Sequence, residues 1–258
     1  MGGGGAGRAV AIIPARLGST RFPRKALAAD TGKAMVVHVA ERAALAASVG
    51  RVAVATDAEE IAEVVRGAGF EAVLTGEHEN GTSRLAEAAE TLGLSGEALI
   101  VNVQGDEPEI EPGLIDAAAE AVEAGWASCG TVAAPFGLGE DPNDPNVVKA
   151  VVGLLDEATR VGRGLYFTRA NAPYRREPGV RMPPLKHLGL YAYRLADLRG
   201  YLTLPPGRLE NAEKLEQLRW LEHGLSIAVA VREAAHHGID TPEQYAAFVE
   251  RWKAGRAG

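Results

Sequence analysis

Cysteine is nearly absent from the chain: Cys129 stands alone, so no intrachain disulfide can form and a reducing compartment fits. It lies in the apolar run WASCGTVAAPF, where a small buried thiol is the expected role rather than a nucleophile. No apolar stretch approaches the roughly 18 residues that cross a bilayer. The first apolar run holds Pro14 and ends at Arg16, unlike a signal peptide, and Ala6 breaks the myristoylation pattern. A cytoplasmic protein without membrane insertion is expected. Basic excess is missing too, since the net charge is -7, which excludes a general nucleic-acid binder. There is no internal repeat, and no low-complexity tract beyond Gly2–Gly5, part of a flexible lead-in over residues 1–8. His236 and His237 are adjacent, and no cysteine or third histidine has zinc-like spacing. No G-x-G-x-x-G follows the first apolar run, which speaks against a dinucleotide-dependent dehydrogenase.

What is present is an ordinary globular composition, 47% hydrophobic and 24% charged over 258 residues, enough for a real core. Strand-like runs at Val10–Ile13, Val52–Thr56, Ala72–Leu74, Leu99–Val103 and Cys129–Ala134 alternate with Ala-rich amphipathic segments at 33–48, 58–68, 83–92 and 112–123. That alternation predicts βαβ units and a mostly parallel, Rossmann-like sheet flanked by helices. Asp57 is placed to cap the helix that follows, with Glu60 completing a capping-box-like pattern. After GEDPNDPN the texture turns to strands, at Val147–Leu155, Gly164–Thr168, His187–Tyr193 and Ile227–Val231. A helix is expected over 209–223, with Leu215, Leu218 and Leu221 on one face. The partition is a single domain over 9–258 in which 160–225 form a smaller β-rich lobe.

Four segments carry chemistry. The turn after the first strand offers Arg16, Ser19, Thr20, Arg21, Arg24 and Lys25 with Gly18 and Pro23, groups that suit a polyphosphate at a strand's carboxyl end. A solvated basic loop is the plain alternative. The apolar strand LIVNV runs into Gln104, Gly105, Asp106 and Glu107, where Asp106 could hold a divalent cation or cap the helix near Pro112. In HHGIDTPEQY, Asp240 is either a second metal carboxylate or the start of a helix with Pro242 in its first turn. In GTSRLAEAAE, Gly81 and Thr82 open a helix. Arg84 sits against the dipole of its first turn, poised for a base or phosphate unless it pairs with a nearby glutamate. No serine or cysteine is placed beside a base in a triad-like spacing, so nothing in the sequence suggests a covalent intermediate.

Taken in order, IIPARLGSTRFP, VHVAERA, VATDAEEIAEVV, NGTSRLAE, VNVQGDEP, DPNVVK, LYFTRANAPY, KHLGLYAYR, KLEQLR and GIDTPE resemble the 3-deoxy-manno-octulosonate cytidylyltransferase family from about residue 9 to 250. The resemblance implies a nucleotide-diphospho-sugar transferase type of fold and transfer of CMP from CTP to the sugar's anomeric hydroxyl, for lipopolysaccharide-type glycan synthesis. It implies that Arg16, Ser19 and Lys25 bind the triphosphate, that Gly81, Thr82 and Arg84 help recognise cytosine, and that Asp106 and Asp240 ligate Mg²⁺. Arg16, Lys25, Asp106 and Asp240 would form the catalytic set. Gln104, Arg169, His187, Tyr191, Glu216 and Gln217 would line the sugar-acid pocket, with Arg169 and His187 supplying charge-assisted binding. Otherwise Arg169 reads as a surface arginine and Glu216–Gln217 as a wet helix face. A homodimer paired through the smaller lobe is also implied, with the leucine-faced helix near 215 at the interface.

The chain departs from the family pattern at FPRKAL, where Arg24 replaces a glycine and Ala26 a proline, and the loop at 171–186 looks short. Alternatives are a cytidylyltransferase for an 8-amino-octulosonate or a nonulosonate, a catalytically silent nucleotide-binding paralogue, and a nucleotidyltransferase using another base.

Overall fold

The first apolar run becomes β1, Ala9–Ala15, buried along almost its whole length. After it the chain forms α1 (Met35–Ala44), β2 (Val49–Thr56), α2 (Glu59–Gly67), β3 (Glu71–Leu74), α3 (Gly81–Thr91), β4 (Leu99–Asn102) and α4 (Pro112–Glu123). The computed structural model describes residues 8–19, 21–78, 80–177, 182–234 and 238–255. Thr20, His236, His237 and Gly2–Gly5 of the lead-in lie outside them. The chain divides into two units, Met1–Ile115 with His236–Gly258, and Asp116–Ala235.

In the first unit, β1 pairs in parallel with β2 and β4, and β2 pairs in parallel with β3. The order β3-β2-β1-β4 is the product of βαβ crossovers. The strand does not stop at Pro14, as the sequence pattern suggests, but runs through it. Val103 donates its N–H to the Ile12 carbonyl, so Ile12 and Pro14, two residues apart, face β4. Pairing with β4 has ended at Ile12–Asn102, and the missing proline N–H costs no ladder bond there. The unit's last helix, α8 (Pro242–Ala254), seals the fold through Tyr245, Phe248 and Val249 against Met35 and Ile239. Burying each such side chain contributes about 1.5–3 kcal/mol.

The second unit holds β5 (Cys129–Pro135), β6 (Lys149–Gly153), β7 (Val161–Thr168), β8 (Leu185–Arg194), α5 (Leu195–Leu202), α6 (Arg208–Glu213), α7 (Gln217–Glu222) and β9 (Ile227–Val231). β5 is parallel to β9 and antiparallel to β8, while β6 and β7 pair antiparallel. A mostly parallel sheet therefore describes the first unit, and a mixed one the second. Residues 160–225 lie inside this unit. Cys129 is buried, and burial pushes its thiol pKa up.

The single helix expected over 209–223 is broken into α6 and α7 by Lys214, which adopts φ 54 and ψ 50. An unbroken helix would put Glu210 and Arg219 about 13 Å apart along the axis and on opposite faces. The break lets Arg219 donate Nε and Nη2 to the two oxygens of Glu210 at 2.7 and 2.6 Å. It also buries Leu215 and Leu218 within the unit and leaves Leu221 half-buried. The helix α5 was not expected. Among the described residues no helix is long and apolar enough to cross a membrane.

Candidate active site

Three chain-distant residues meet at one atom. Lys25 Nζ donates to Asp106 Oδ2 at 2.8 Å, to the Ile239 carbonyl at 2.8 Å and to Asp240 Oδ1 at 3.3 Å. Arg21 reaches the other Asp240 oxygen at 3.1 Å. Each partner arrives by a local device. Lys25 opens a short 3-10 turn, Lys25–Leu27, after the basic loop. Asp106 follows Gly105, where a Cβ would lie 2.7 Å from the Pro14 carbonyl oxygen; only glycine lets this turn approach the end of β1 so closely. Asp240 is held just ahead of α8, whose cap is Thr241. The Thr241 hydroxyl accepts from the Gln244 N–H, and the Gln244 side chain accepts from the Thr241 and Asp240 N–H groups. Asp240 is thus spared for Lys25 and Arg21, and Asp106 is bound to Lys25 rather than serving α4.

Asp106 and Asp240 both bond the Lys25 ammonium, so one positive centre reaches both carboxylates. Their all-oxygen chemistry fits Mg²⁺, which takes one or two carboxylates and completes its shell with phosphate and water. Among the described residues no group of three or more His, Cys, Asp or Glu is placed to hold a metal by itself.

The basic loop carries Arg16, exposed, and Ser19, half-buried, whose Oγ accepts the Phe22 N–H at 3.3 Å. Arg24, where the resembling family has glycine, stands in the left-handed region at φ 59 and ψ 24 and pairs with Glu60. That conformation costs an L-residue about 1–2 kcal/mol.

Gly81 and Thr82 open α3 as expected, behind a cap the sequence reading missed: Asn80 Oδ1 accepts the Ser83 N–H at 2.9 Å. Arg84 is buried, donating Nη2 to Asp57 Oδ2 and Nη1 to Thr75 Oγ1, each at 2.6 Å. Its partner is Asp57 rather than a glutamate. The expected Asp57 cap on α2 does not form, because that carboxylate is drawn to Arg84, and Ala58 occupies the cap position without a side-chain bond. Strand-end position was the signal for Asp57. The spacing also hid an arrangement resembling a triad: His78 Nδ1 lies 3.1 Å from Ser83 Oγ, and His78 Nε2 meets Glu87. The His78 bond, followed by the Gly76 N–H, holds the Glu87 carboxyl below its usual range. Ser83 Oγ also sits 3.1 Å from Asn80 Oδ1 and 3.2 Å from the Asn80 carbonyl, so the hydroxyl braces the helix start.

In the second unit His187 and Tyr191 on β8 are ring neighbours at 5.3 Å. His187 Nε2 is 2.8 Å from Thr131 Oγ1, which donates to the Leu190 carbonyl at 2.6 Å. The hydroxyl's proton is committed, so His187 is the donor and carries its proton on Nε2. Burial pushes its pKa down to about 3, and the positive charge expected from His187 is corrected to a neutral ring. Burial raises the Tyr191 hydroxyl well above its ordinary range. Arg169 is held to the chain, with Nε donating to the Glu213 carbonyl at 2.8 Å and Nη1 to the Pro145 carbonyl at 2.9 Å. Glu213 also accepts from the Arg169 N–H and the Thr168 hydroxyl. Glu216 and Gln217 start α7, but Gln217 is buried rather than on a wet face. Gln104, in the first unit, is half-buried one residue before Gly105.

A parallel α/β layer that gathers hydroxyls, cations and paired carboxylates at its strand ends is suited to a phosphorylated nucleotide ligand, and similarity to known proteins places it among nucleotidyltransferases. A cytidylyltransferase family model matches residues 10–227. A 3-deoxy-manno-octulosonate cytidylyltransferase of Syntrophobacter fumaroxidans is 48% identical over 245 residues, 94% of this chain and 96% of that protein. One from Azorhizobium caulinodans is 50% identical over 234 residues, 90% of each. The solved structure of CMP:2-keto-3-deoxy-manno-octonic acid synthetase complexed with CTP has a TM-score of 0.87 at 35% identity, covering 96% of this chain and 99% of its own. UDP-glucose pyrophosphorylase complexed with UDP-glucose, at 13% identity and TM-score 0.65, shares the fold alone. The chain belongs to the 3-deoxy-manno-octulosonate cytidylyltransferase family, and its fold is the α/β type of nucleotide-diphospho-sugar transferases.

Proposed function

We propose that the protein transfers CMP from CTP to the anomeric hydroxyl of 3-deoxy-D-manno-octulosonate, releasing pyrophosphate, as a cytoplasmic homodimer serving lipopolysaccharide-type glycan synthesis. The observation that carries this is the meeting of Lys25 with Asp106 and Asp240 at the carboxyl ends of the parallel strands, in a chain 48% identical to a named 3-deoxy-manno-octulosonate cytidylyltransferase.

Arg16, Ser19 and Lys25 bind the triphosphate, and Lys25 with Arg16 counters the charge that develops on the leaving pyrophosphate. The turn Gly81–Thr82 meets the cytosine, while Arg84, engaged by Asp57 and Thr75, fixes that turn in place. Asp106 and Asp240 are the residues that would hold Mg²⁺, which supplies charge neutralisation on the triphosphate oxygens. Gln104, Arg169, His187, Tyr191, Glu216 and Gln217 take the sugar acid. Arg169 answers the sugar carboxylate with its guanidinium; His187, whose proton is committed to Thr131, answers a hydroxyl as a neutral acceptor. The anomeric oxygen bonds to the α-phosphorus as the bond to pyrophosphate breaks, and the hydroxyl's proton passes to water or to the released pyrophosphate. The protein contributes alignment and charge rather than a covalent intermediate.

Pyrophosphate release from CTP is the test, run with 3-deoxy-manno-octulosonate, its 8-amino analogue, a nonulosonate and no sugar. Release that depends on the first sugar supports the assignment, and preference for another acid moves the substrate within the class. CTP binding without release from any of them would point to a silent paralogue and reject the catalytic reading.

A further inference from the structure

Arg24 and Lys25 are consecutive cations held by different partners. Lys25 is tied to Asp106, Ile239 and Asp240, whereas Arg24 pairs with Glu60 in the first turn of α2. That turn carries Glu59 and Glu60, anions placed where the helix dipole favours them. Between the two anchors the backbone is pinned locally. The Arg24 N–H donates to the Leu17 carbonyl at 3.2 Å, and the Leu27 N–H to the Arg24 carbonyl at 2.9 Å. Glycine would take φ 59 without strain, and arginine does not. The pair borders a groove of about 580 Å³ whose walls include Leu27, Lys33, Val37 and Val64, so the guanidinium is not wedged there by packing.

We propose that Arg24 is a positioning residue of the triphosphate turn: its ion pair with Glu60 latches the turn onto α2, so that Lys25 meets the nucleotide already oriented. Preorganisation of this kind lowers the ordering cost of binding and therefore acts on KM more than on kcat. The latch side chains are 58% and 57% exposed, against 15% for Lys25; salt screens the latch and spares the lysine. This inference rests on the nucleotide reading above.

The test combines steady-state kinetics with amide hydrogen exchange on Arg24→Gly, Glu60→Gln, the double variant and the charge swap Arg24→Glu with Glu60→Arg. Arg24→Gly relieves backbone strain, so its melting temperature should not fall and misfolding cannot mimic the effect. Each single variant should raise KM for CTP about fivefold with kcat within about twofold. The double variant should be no worse than either single, and the swap should recover KM to within about twofold. Without nucleotide, the Leu27 amide should exchange faster in Glu60→Gln, and CTP should restore its protection. Unchanged KM and exchange in Glu60→Gln, or additive losses in the double variant, would overturn the latch. Altered exchange in a protein that does not turn over CTP would support the latch and sink the nucleotide reading. Turnover with unaltered exchange would do the reverse.

Discussion

At the strand ends of the first unit, Lys25 stands between Asp106 and Asp240, whose side chains are 32% and 45% exposed. On β8 of the second unit, His187 and Tyr191 sit beside Thr131 with their neutral forms enforced by burial. One region concentrates opposite charges and leaves water at hand; the other removes charge and relies on directed hydrogen bonds and ring contacts. The difference matches the ligands proposed for each. A triphosphate brings several negative charges that must be balanced. A sugar acid brings many hydroxyls and one carboxylate, which suits the buried neutral groups of His187 and Tyr191 with Arg169 as the cation and Glu216 as an acceptor for hydroxyls. Burying Lys25 and its carboxylates fully would exact a desolvation cost that their mutual attraction repays only in favourable geometry.

The largest expected effect breaks the charged side of this comparison. Asp106→Asn should lower kcat about a thousandfold while the melting temperature stays within about 2 °C of the parent, read by steady-state kinetics and a thermal melt. Near-parental turnover would remove Asp106 from the reaction. Next comes Arg84→Met, which leaves Asp57 without its partner in a site where Arg84 is 3% exposed. A cost of about 3 kcal/mol is expected, hence a melting temperature lower by about 6–12 °C; an unchanged melt would show that Arg84 is not the strut described. Gly105→Ala should lower kcat/KM about tenfold, because the new Cβ would press on the Pro14 carbonyl and shift Asp106.

The smallest effect sharpens the neutral side. The folded-state pKa of His187, about 3, lies below its ordinary 6.5. As pH falls the unfolded chain therefore takes up this proton first. The contribution is fully present above about pH 6.5 and is lost progressively as pH drops from there toward 3. Urea unfolding at pH 7 and pH 5 should show a shallower loss for His187→Gln than for the parent. An identical pH slope in both would mean that His187 is not held neutral.

Much of the first unit could be read from the chain, because its signals are local. β-branched runs gave β1, β2 and β4 to within a few residues, and polar residues just past a parallel strand are where a ligand site is expected. The convergence on Lys25 was readable as two alternatives each for Asp106 and Asp240, and the helix-start role of Asp240 falls instead to Thr241. Arg84 with Asp57 was not readable: the two are far apart in sequence, and an arginine in a helix's first turn looks the same whether it faces a ligand or a buried carboxylate. The break at Lys214 was hidden for a related reason. The leucine periodicity of 209–223 is helical throughout, and it is the pairing of Glu210 with Arg219, nine positions apart, that goes with two short helices. The tautomer of His187 depends on Thr131 and Leu190, partners brought by β5 and β8, and its neutrality on burial, so motif matching could place the ring but not its charge.

The most direct measurement is ³¹P NMR of the purified protein with CTP, Mg²⁺ and 3-deoxy-manno-octulosonate. The account predicts that the CTP resonances are replaced by pyrophosphate and a single sugar-linked CMP phosphodiester in equal amounts, with neither forming when the sugar is left out. Pyrophosphate without the phosphodiester, or CTP left intact with the sugar present, would contradict it.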